Sequence, residues 1–498
     1  MKKNVTGMVI FMVGAITMIF EIVGSRLLGP YLGTSVYVWT SLIGIVFASL
    51  SLGYWLGGLI SVRKPGFFML FIMLGLSAVF VLLATVGNTY ILDRVVKYIP
   101  GLRLRATIAS VLLFAPASLF FGMVLPFGVK LMISQLSTSG RLVGSLYALS
   151  TLGSIMGTFA AGFVLLPVMG HVNILFSLVL VLLVLAFIIL IAEKKLLLTT
   201  VPLGAVLLVV VLWNRQSNRQ RDYIDVDTQY NRVIIYQTTD TKTNKPIRML
   251  RINDESSSAM FTDQDNDLVF DVLKYYRLVD HFVPGFTHSL MIGGSGYAFP
   301  KDYLMRHPDA FIDVVEIDPG LTRLARKYFN LPDDPRLQII HDDGRIFLNR
   351  TKNRYDAVFM DAYKSMITIP FQLTTREAVQ RIYDVLSEDG AVFANIISTL
   401  NPENNRFLQA QTVTYQSVFP RVLLFAVQYP DPTEAEKNFY QNIMLVGLKS
   451  EKPFDLTSDD TEINTFLSNF IELDLSEEAF ILTDEYAPVE YFASKGLK

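Results

Sequence analysis

Seven runs of about 18 or more apolar residues fill the first 213 positions, at about 7–29, 38–60, 67–88, 106–133, 142–168, 172–192 and 196–213. Runs of this length exceed what a helix buried in a soluble core needs and match the hydrocarbon core of a bilayer. The first is too long for a cleaved signal peptide, and further runs follow it at once. Residues 1–213 are therefore expected to form a transmembrane domain of about seven helices. Gly53 with Gly57 and Gly153 with Gly157 place small residues four apart, which permits close helix contact in lipid. A substrate path along these glycines is the competing reading. Glu21 and Arg26 fall within or near the end of the first run, where charge is costly and usually faces protein or water. They do not share one helix face, so each is expected to have its own partner.

The basic residues send mixed signals about orientation. Lys2, Lys3, Arg63, Lys64, Lys194 and Lys195 favour a cytoplasmic N-terminus, and seven crossings would then put the rest of the chain outside. Arg94, Lys97, Arg103 and Arg105, after the third run, argue the other way. A miscounted crossing, or an interfacial helix hidden within 88–105, would remove the conflict.

Beyond Trp213 charged and polar residues are mixed throughout, so the two parts of the chain have different solvents. A net charge of -2 without a basic tail or patch predicts no general attraction to nucleic acid. The absence of cysteine excludes disulfides, thiolate nucleophiles and cysteine metal sites. The five histidines show no metal-ligand spacing, and no metal site is expected.

Residues 214–261 read as a polar linker and a small β element of two strands and a hairpin, and 262–498 as the main domain. A helical stretch is expected at about 266–281. Strands follow at about 288–292, 311–317, 337–341, 355–360 and 390–396, with helices at about 298–307, 319–329, 344–350 and 373–386 between them. Two more apolar strands lie near 421–428 and 441–447. Such alternation implies a mainly parallel sheet with helices on both faces and ligands beyond the carboxyl ends of the strands.

The notable residues fall at those ends. The first strand runs into Gly293-Gly294-Ser295-Gly296, and the second into Glu316-Ile317-Asp318. Strand, glycine turn, helix, strand and terminal acid is the plan of a nucleotide-binding βαβ unit. No Walker-type lysine follows the glycines, so a triphosphate is not expected. Asp342-Asp343-Gly344 ends the third strand and Asp361 the fourth. Five acids on one sheet edge suit a ligand that is nucleoside-like at one end and cationic at the other. Glu316 would take ribose hydroxyls, Asp343 an exocyclic amine, and Asp361 would face the reacting centre and accept a proton from an amine. Asp318 and Asp342 are read instead as helix N-caps.

The segments "QYNRVIIYQ", "MIGGSGYA", "VVEIDPGLTRLARKYF", "DDGRIFL", "YDAVFMDAY" and "LSEDGAVFANI" resemble, in order over about 222–400, the spermidine synthase (polyamine aminopropyltransferase) family. The apolar part resembles that of its membrane-bound branch, in which such a domain follows a bundle distantly like half of a major facilitator transporter. The resemblance implies an α-helical transmembrane bundle followed by an α/β Rossmann-like, class I methyltransferase-type domain with a small N-terminal β element. It implies transfer of an aminopropyl group from decarboxylated S-adenosylmethionine, a co-substrate and not a permanently bound cofactor, to an amine such as putrescine. By position, Asp361 would be the catalytic acid–base residue. Asn231, Gly293, Gly294, Gly296, Glu316, Asp343 and Gly344 would bind the nucleoside.

Three departures bear on the substrate. Gly296 stands where the family has the aspartate that holds the donor's amine, and Lys364 where it has a second acid near Asp361. Val269, Phe270 and Asp271 replace its Tyr-His-Glu segment. A cation in place of an anion opposes binding of a diamine. A transferase that uses intact S-adenosylmethionine is thus an alternative, as is a polyamine or nucleoside transporter with a regulatory nucleoside-binding domain. The expected partners are a small-molecule amine and the lipid bilayer, not nucleic acid, with a homodimer left open. The expected location is the cell membrane, multi-pass, with the catalytic domain cytoplasmic.

Overall fold

A computed structural model describes the chain except for residues 1, 34, 64–65, 134–138, 194–222, 254, 264–266, 363–369 and 496–498. The chain divides into two compact units, Met1–Asp222 and Tyr223–Lys498.

Among the described residues, the first unit holds six helices long and apolar enough to cross a membrane. They are α1 (Lys2–Leu32), α2 (Val36–Arg63), α3 (Phe67–Tyr98), α4 (Leu102–Met132), α5 (Ser139–Val168) and α6 (His171–Glu193). A π-helical turn, Ala160–Leu165, interrupts α5. The seventh expected run, 196–213, lies outside the described residues. The segment 88–105 hides no interfacial helix: α3 continues to Tyr98 and α4 begins at Leu102. Arg94 lies over Tyr90, and Arg103 stacks 4.6 Å from the Tyr37 ring. Aromatic rings paired with basic side chains at helix ends are the usual anchors at a bilayer interface.

The paired glycines are spent on helix contact. A Cβ on Gly153 would lie 2.0 Å from the Phe11 carbonyl oxygen, and one on Gly157 2.3 Å from that of Ala15. The same closeness joins α2 to α4, where a Cβ on Gly53 would lie 2.2 Å from the Leu119 oxygen and one on Gly57 2.6 Å from that of Met123. Backbones this close leave no channel along the glycines, which disposes of the substrate-path reading. Gly153→Leu is therefore expected to destabilise the helical unit by about 3 kcal/mol or more, since overpacking here pushes on backbone and not on a movable side chain. Gly44→Leu is the control, because nothing lies within 4 Å of its Cβ position. Thermal unfolding of the full chain in detergent compares the two.

Arg26 makes interactions of its own. Glu21 does not follow the expectation: it is only 5% exposed, yet its Oε2 has no hydrogen-bond partner.

The second unit begins with a four-stranded antiparallel sheet in the order β1-β2-β3-β4, formed by Tyr223–Asp227, Arg232–Thr239, Pro246–Ile252 and Glu255–Phe261. Two strands and a hairpin were expected. The fourth strand escapes sequence reading because Ser256, Ser257 and Ser258 carry little strand preference. Asn244 and Asn253 adopt positive φ, 56° and 57°, at the turns that link these strands. The expected helix at 266–281 is broken into three short turns, Asp271–Lys274, Tyr275–Leu278 and Val279–Phe282.

The main sheet has eight strands in the order β12-β10-β11-β9-β8-β5-β6-β7. Strands β5 (His288–Ile292), β6 (Phe311–Val315), β7 (Leu337–Ile340), β8 (Tyr355–Met360) and β9 (Leu386–Ser398) run parallel. β10 (Arg421–Ala426), β11 (Gln441–Leu448) and β12 (Phe470–Ile471) extend it with antiparallel pairings. Helices α7 (Ala298–Arg306), α8 (Pro319–Tyr328), α9 (Gly344–Arg350) and α10 (Arg376–Val385) connect the parallel strands. Separate apolar cores on the two faces, one around Tyr276 and Phe359 and one around Val358 and Ile382, make this a three-layer α/β domain.

The strand order reverses between β5 and β8, since the chain steps outward through β6 and β7 and then returns to the other side of β5. A crevice forms where such connections part, beyond the carboxyl ends of the strands.

Candidate active site

Parallel register brings the carboxyl ends level. The amide of Gly293 donates to the Val315 carbonyl at 2.9 Å, that of Glu316 to Ile340 at 3.0 Å, and that of Asp361 to Ile292 at 3.0 Å. At the switch between β5 and β8, Gly293 has φ +98°, and a Cβ there would lie 2.4 Å from the Asp361 carbonyl oxygen. Only glycine combines that dihedral with that approach. The turn continues through Ser295 and Tyr297, both at positive φ. The buried Tyr297 hydroxyl bonds Thr322 Oγ1 at 2.7 Å, and Thr322 bonds His341 Nε2 at 3.0 Å. His341 is thus tied to the packing beneath the turn.

Glu316 closes on the turn. Its Oε2 accepts from the amides of Gly294 at 2.8 Å and Ser295 at 3.0 Å, and its Oε1 from that of Asp318 at 2.9 Å. Burial raises this carboxyl above the usual range, and the three amides pull it back. In this state the carboxylate holds the glycine loop, and a ribose would have to share or replace those bonds. Asp318 is the N-cap of α8, accepting from the Gly320 amide at 2.9 Å. Asn231 Nδ2 donates to Asp318 Oδ2 at 3.0 Å, and Thr228 also bonds that oxygen. Asn231 thereby ties the first β-sheet to the start of α8.

Of the two acids after β7, the helix cap is Asp343 and not Asp342. Asp343 is the cap of α9, with Oδ1 accepting from the amides of Arg345 at 2.8 Å and Ile346 at 3.2 Å. Asp342, expected as the cap, bonds the Asp343 amide at 2.9 Å and pairs with Arg350. Sequence spacing alone does not separate neighbouring aspartates; the dihedrals of the turn do. A Cβ on Gly344 would lie 2.6 Å from Ile292 Cγ2, so the start of α9 packs against the end of β5.

Asp361 stands apart from these satisfied acids. It opens on a cleft of about 720 Å³, lined among others by Ser295, Asn395, Phe270, Glu255 and Tyr440. Glu316, Asp343 and Gly344 do not line it. Burial pushes the Asp361 carboxyl up to about 6, against a 3.0 Å bond from Asn395 Nδ2 that lowers it. Asn395 is held in turn by Asn442 Nδ2 at 2.9 Å, and Asn442 Oδ1 accepts from Gln428 Nε2 at 3.1 Å. This amide relay went unread, although Asn395 alone interrupts the apolar run "GAVFANI" in β9. Lys364 lies outside the described residues.

The departure at Gly296 has a structural cause. A Cβ there would lie 2.4 Å from Ser258 Oγ, so β4 occupies the space an acidic side chain would need. Ser257 and Ser295 pair their hydroxyls at 2.8 Å on the cleft wall.

Residues 274–443 match the spermine/spermidine synthase domain family. The chain is 26% identical over 238 residues to the polyamine aminopropyltransferase of Vibrio vulnificus, covering 45% of this chain and 76% of that one. It is 33% identical over 135 residues to the enzyme of the same name from a Thermoanaerobacter species, covering 25% of this chain and 47% of that one. Among solved structures, a probable spermidine synthase from Corynebacterium glutamicum aligns with a TM-score of 0.41 at 21% identity, over 55% of this chain and 93% of that one. Residues 274–443 are thus similar to a spermine/spermidine synthase domain, and the chain is a transferase of the polyamine aminopropyltransferase type.

Proposed function

We propose that this transferase moves an aminopropyl group from decarboxylated S-adenosylmethionine to an amine such as putrescine, with Asp361 as the residue that accepts the proton. The observation that carries the reading is the half-buried Asp361 carboxyl at the β5/β8 switch, facing a cleft and aimed by Asn395. The amine nitrogen attacks the carbon next to the sulfonium, the carbon–sulfur bond breaks, and methylthioadenosine leaves neutral. The proton lost by the new ammonium passes to Asp361. Positioning of the two substrates supplies most of the rate. The glycine turn at Gly293, Gly294 and Gly296, with Glu316, Asp343, Gly344 and Asn231, forms the nucleoside side, either by contact or by holding the loop.

The protonation of Asp361 sets the pH profile. Its folded value lies above that of a free carboxyl, so the ionised form needed to attract and deprotonate an amine is lost as pH falls through about 6. We expect kcat/KM for aminopropyl transfer to fall about tenfold per pH unit below that point. An acid limb near pH 4 would show that Asp361 is not the group.

The second reading, use of intact S-adenosylmethionine, is favoured by Ser258 filling the place of the donor-amine acid. Hydroxyls at Ser257 and Ser295 select less strongly against a carboxylate than an aspartate would. Full-length protein in detergent, assayed with both donors, separates the readings. Transfer from the decarboxylated donor alone supports the first, and transfer from the intact donor alone replaces it with the second.

We further propose a multi-pass membrane protein with its catalytic domain in the cytoplasm, where the donor is made. Six crossings would return residue 194 to the side of the N-terminus, and the reading requires that the run 196–213 adds no seventh. Lys2, Lys3, Arg63, Lys64, Lys194 and Lys195 would then share the cytoplasmic side.

A further inference from the structure

Glu21 is the acid of the helical unit that the transfer reaction leaves unused. Among the described residues of α1 to α6 the carboxylates are Glu21, Asp93 and Glu193. Asp93 is exposed near the end of α3, and Glu193 is the last residue of α6. Glu21 sits in the interior, 5% exposed, with Oε2 bonded to nothing. A buried carboxylate without a hydrogen bond is among the most costly arrangements a membrane helix can hold, and in such proteins it generally marks an ion or proton site.

A second observation points to the same seam. Most buried hydroxyls in these helices return to their own backbone: Thr17 to Val13 at 2.7 Å, Ser49 to Ile45 at 2.7 Å, Ser77 to Met73 at 2.8 Å and Thr85 to Val81 at 2.7 Å. Ser110 and Ser118 of α4 do not, although both are 0% exposed. They lie one turn before and one turn after Phe114, on one stripe of the helix. That stripe faces α1 at the level of Glu21. Phe114 packs 5.1 Å from Phe20, and a Cβ on Gly24 would lie 2.6 Å from the Phe114 ring. The unpartnered carboxylate oxygen of Glu21 therefore lies at the level where Phe20 and Gly24 of α1 meet Phe114 of α4, and the two unpartnered hydroxyls lie one turn to either side of Phe114.

We infer that Glu21 is a binding site for a single positive charge, a proton or an alkali cation, within the helical unit. One carboxylate balances one charge, so a multiply charged amine is not its ligand. The serine hydroxyls supply neutral oxygens, which suit a small cation or the water that accompanies a proton. This site is independent of the transfer reaction and does not rest on that reading.

The test uses the full-length protein in liposomes and a hydrophobic carbodiimide, which modifies protonated carboxyls in apolar surroundings. The readout is the mass of the peptide that contains Glu21. We expect labelling that falls at least about fivefold from about pH 6 to about pH 9, or that falls by a similar factor when sodium or potassium is added at fixed pH. The first result identifies the proton as ligand and the second an alkali cation; both support the site. Glu21→Gln should abolish the label. Glu21→Asp, which keeps the charge, should restore it at the same peptide, so a folding defect in the first variant does not obscure the result. Labelling insensitive to both pH and monovalent cations, or none at any pH, overturns the inference. Protection by spermidine with none by monovalent cations or pH also overturns it, in favour of an organic polycation site.

Discussion

Asp361→Asn should reduce aminopropyl transfer by about 100- to 10,000-fold while raising the stability of the second unit. The two effects come from one cause. Burial holds the folded carboxyl up at about 6, above its value in an unfolded chain, so the fold is most stable with Asp361 protonated. That stability is fully present below the unfolded value and is lost as pH rises through about 6. At neutral pH the protein carries a desolvated charge that asparagine would not, and the variant should gain about 1–3 kcal/mol. The gain should shrink toward zero when unfolding is measured near pH 4. A variant that loses activity and stability together would mean that Asp361 supports structure and that its chemical role belongs elsewhere. Asn395→Ala offers a graded companion. It leaves the carboxyl in place but removes the amide that aims it, and the acid limb of the profile should move upward.

Arg277→Leu should cost the second unit about 3–5 kcal/mol, the usual result of removing one partner from a buried ion cluster. Arg277 is 3% exposed and bonds Asp302 through Nη2 at 2.7 Å and Nε at 3.0 Å. It also bonds Asp267 at 2.7 Å and Glu462 at 2.5 Å. Its loss would leave Asp302, itself 3% exposed on α7, with only the longer 3.4 Å contact from Arg306 Nε to offset its charge. A fall of about 10 °C in the unfolding midpoint of this unit is expected. Arg277→Lys should recover little, because an ammonium cannot reproduce the paired geometry of the guanidinium. The double variant Arg277→Leu/Asp302→Leu should recover more than either single change, since it removes the poorly offset charge as well. No recovery would locate the effect in lost packing instead.

Much of the architecture is written locally. Apolar run length separates bilayer helices from soluble ones, because hydrocarbon demands an unbroken apolar surface about 20 residues long. The βα alternation and the glycine turn at 293–296 are likewise local patterns, and the strands at 288–292 and 355–360 agree with the structure to the residue. Four features were not legible. The Ser-rich strand β4 lacks a strand signature and is held by its neighbour β3. Which of Asp342 and Asp343 caps the helix depends on one turn's dihedrals. The blocked space at Gly296 comes from Ser258, which is 38 residues away in sequence and in contact only because the two sheets pack. The unpartnered state of Glu21 depends on which faces of α1 and α4 meet. The sequence by itself determined the division into an apolar and a polar part, the element types and the acids at the strand ends, because each follows from short-range pattern. The tertiary structure decided which acids are already satisfied by backbone amides and which, like the half-buried Asp361 and the buried Glu21, keep valence to spare, because hydrogen-bond saturation and desolvation depend on neighbours distant along the chain.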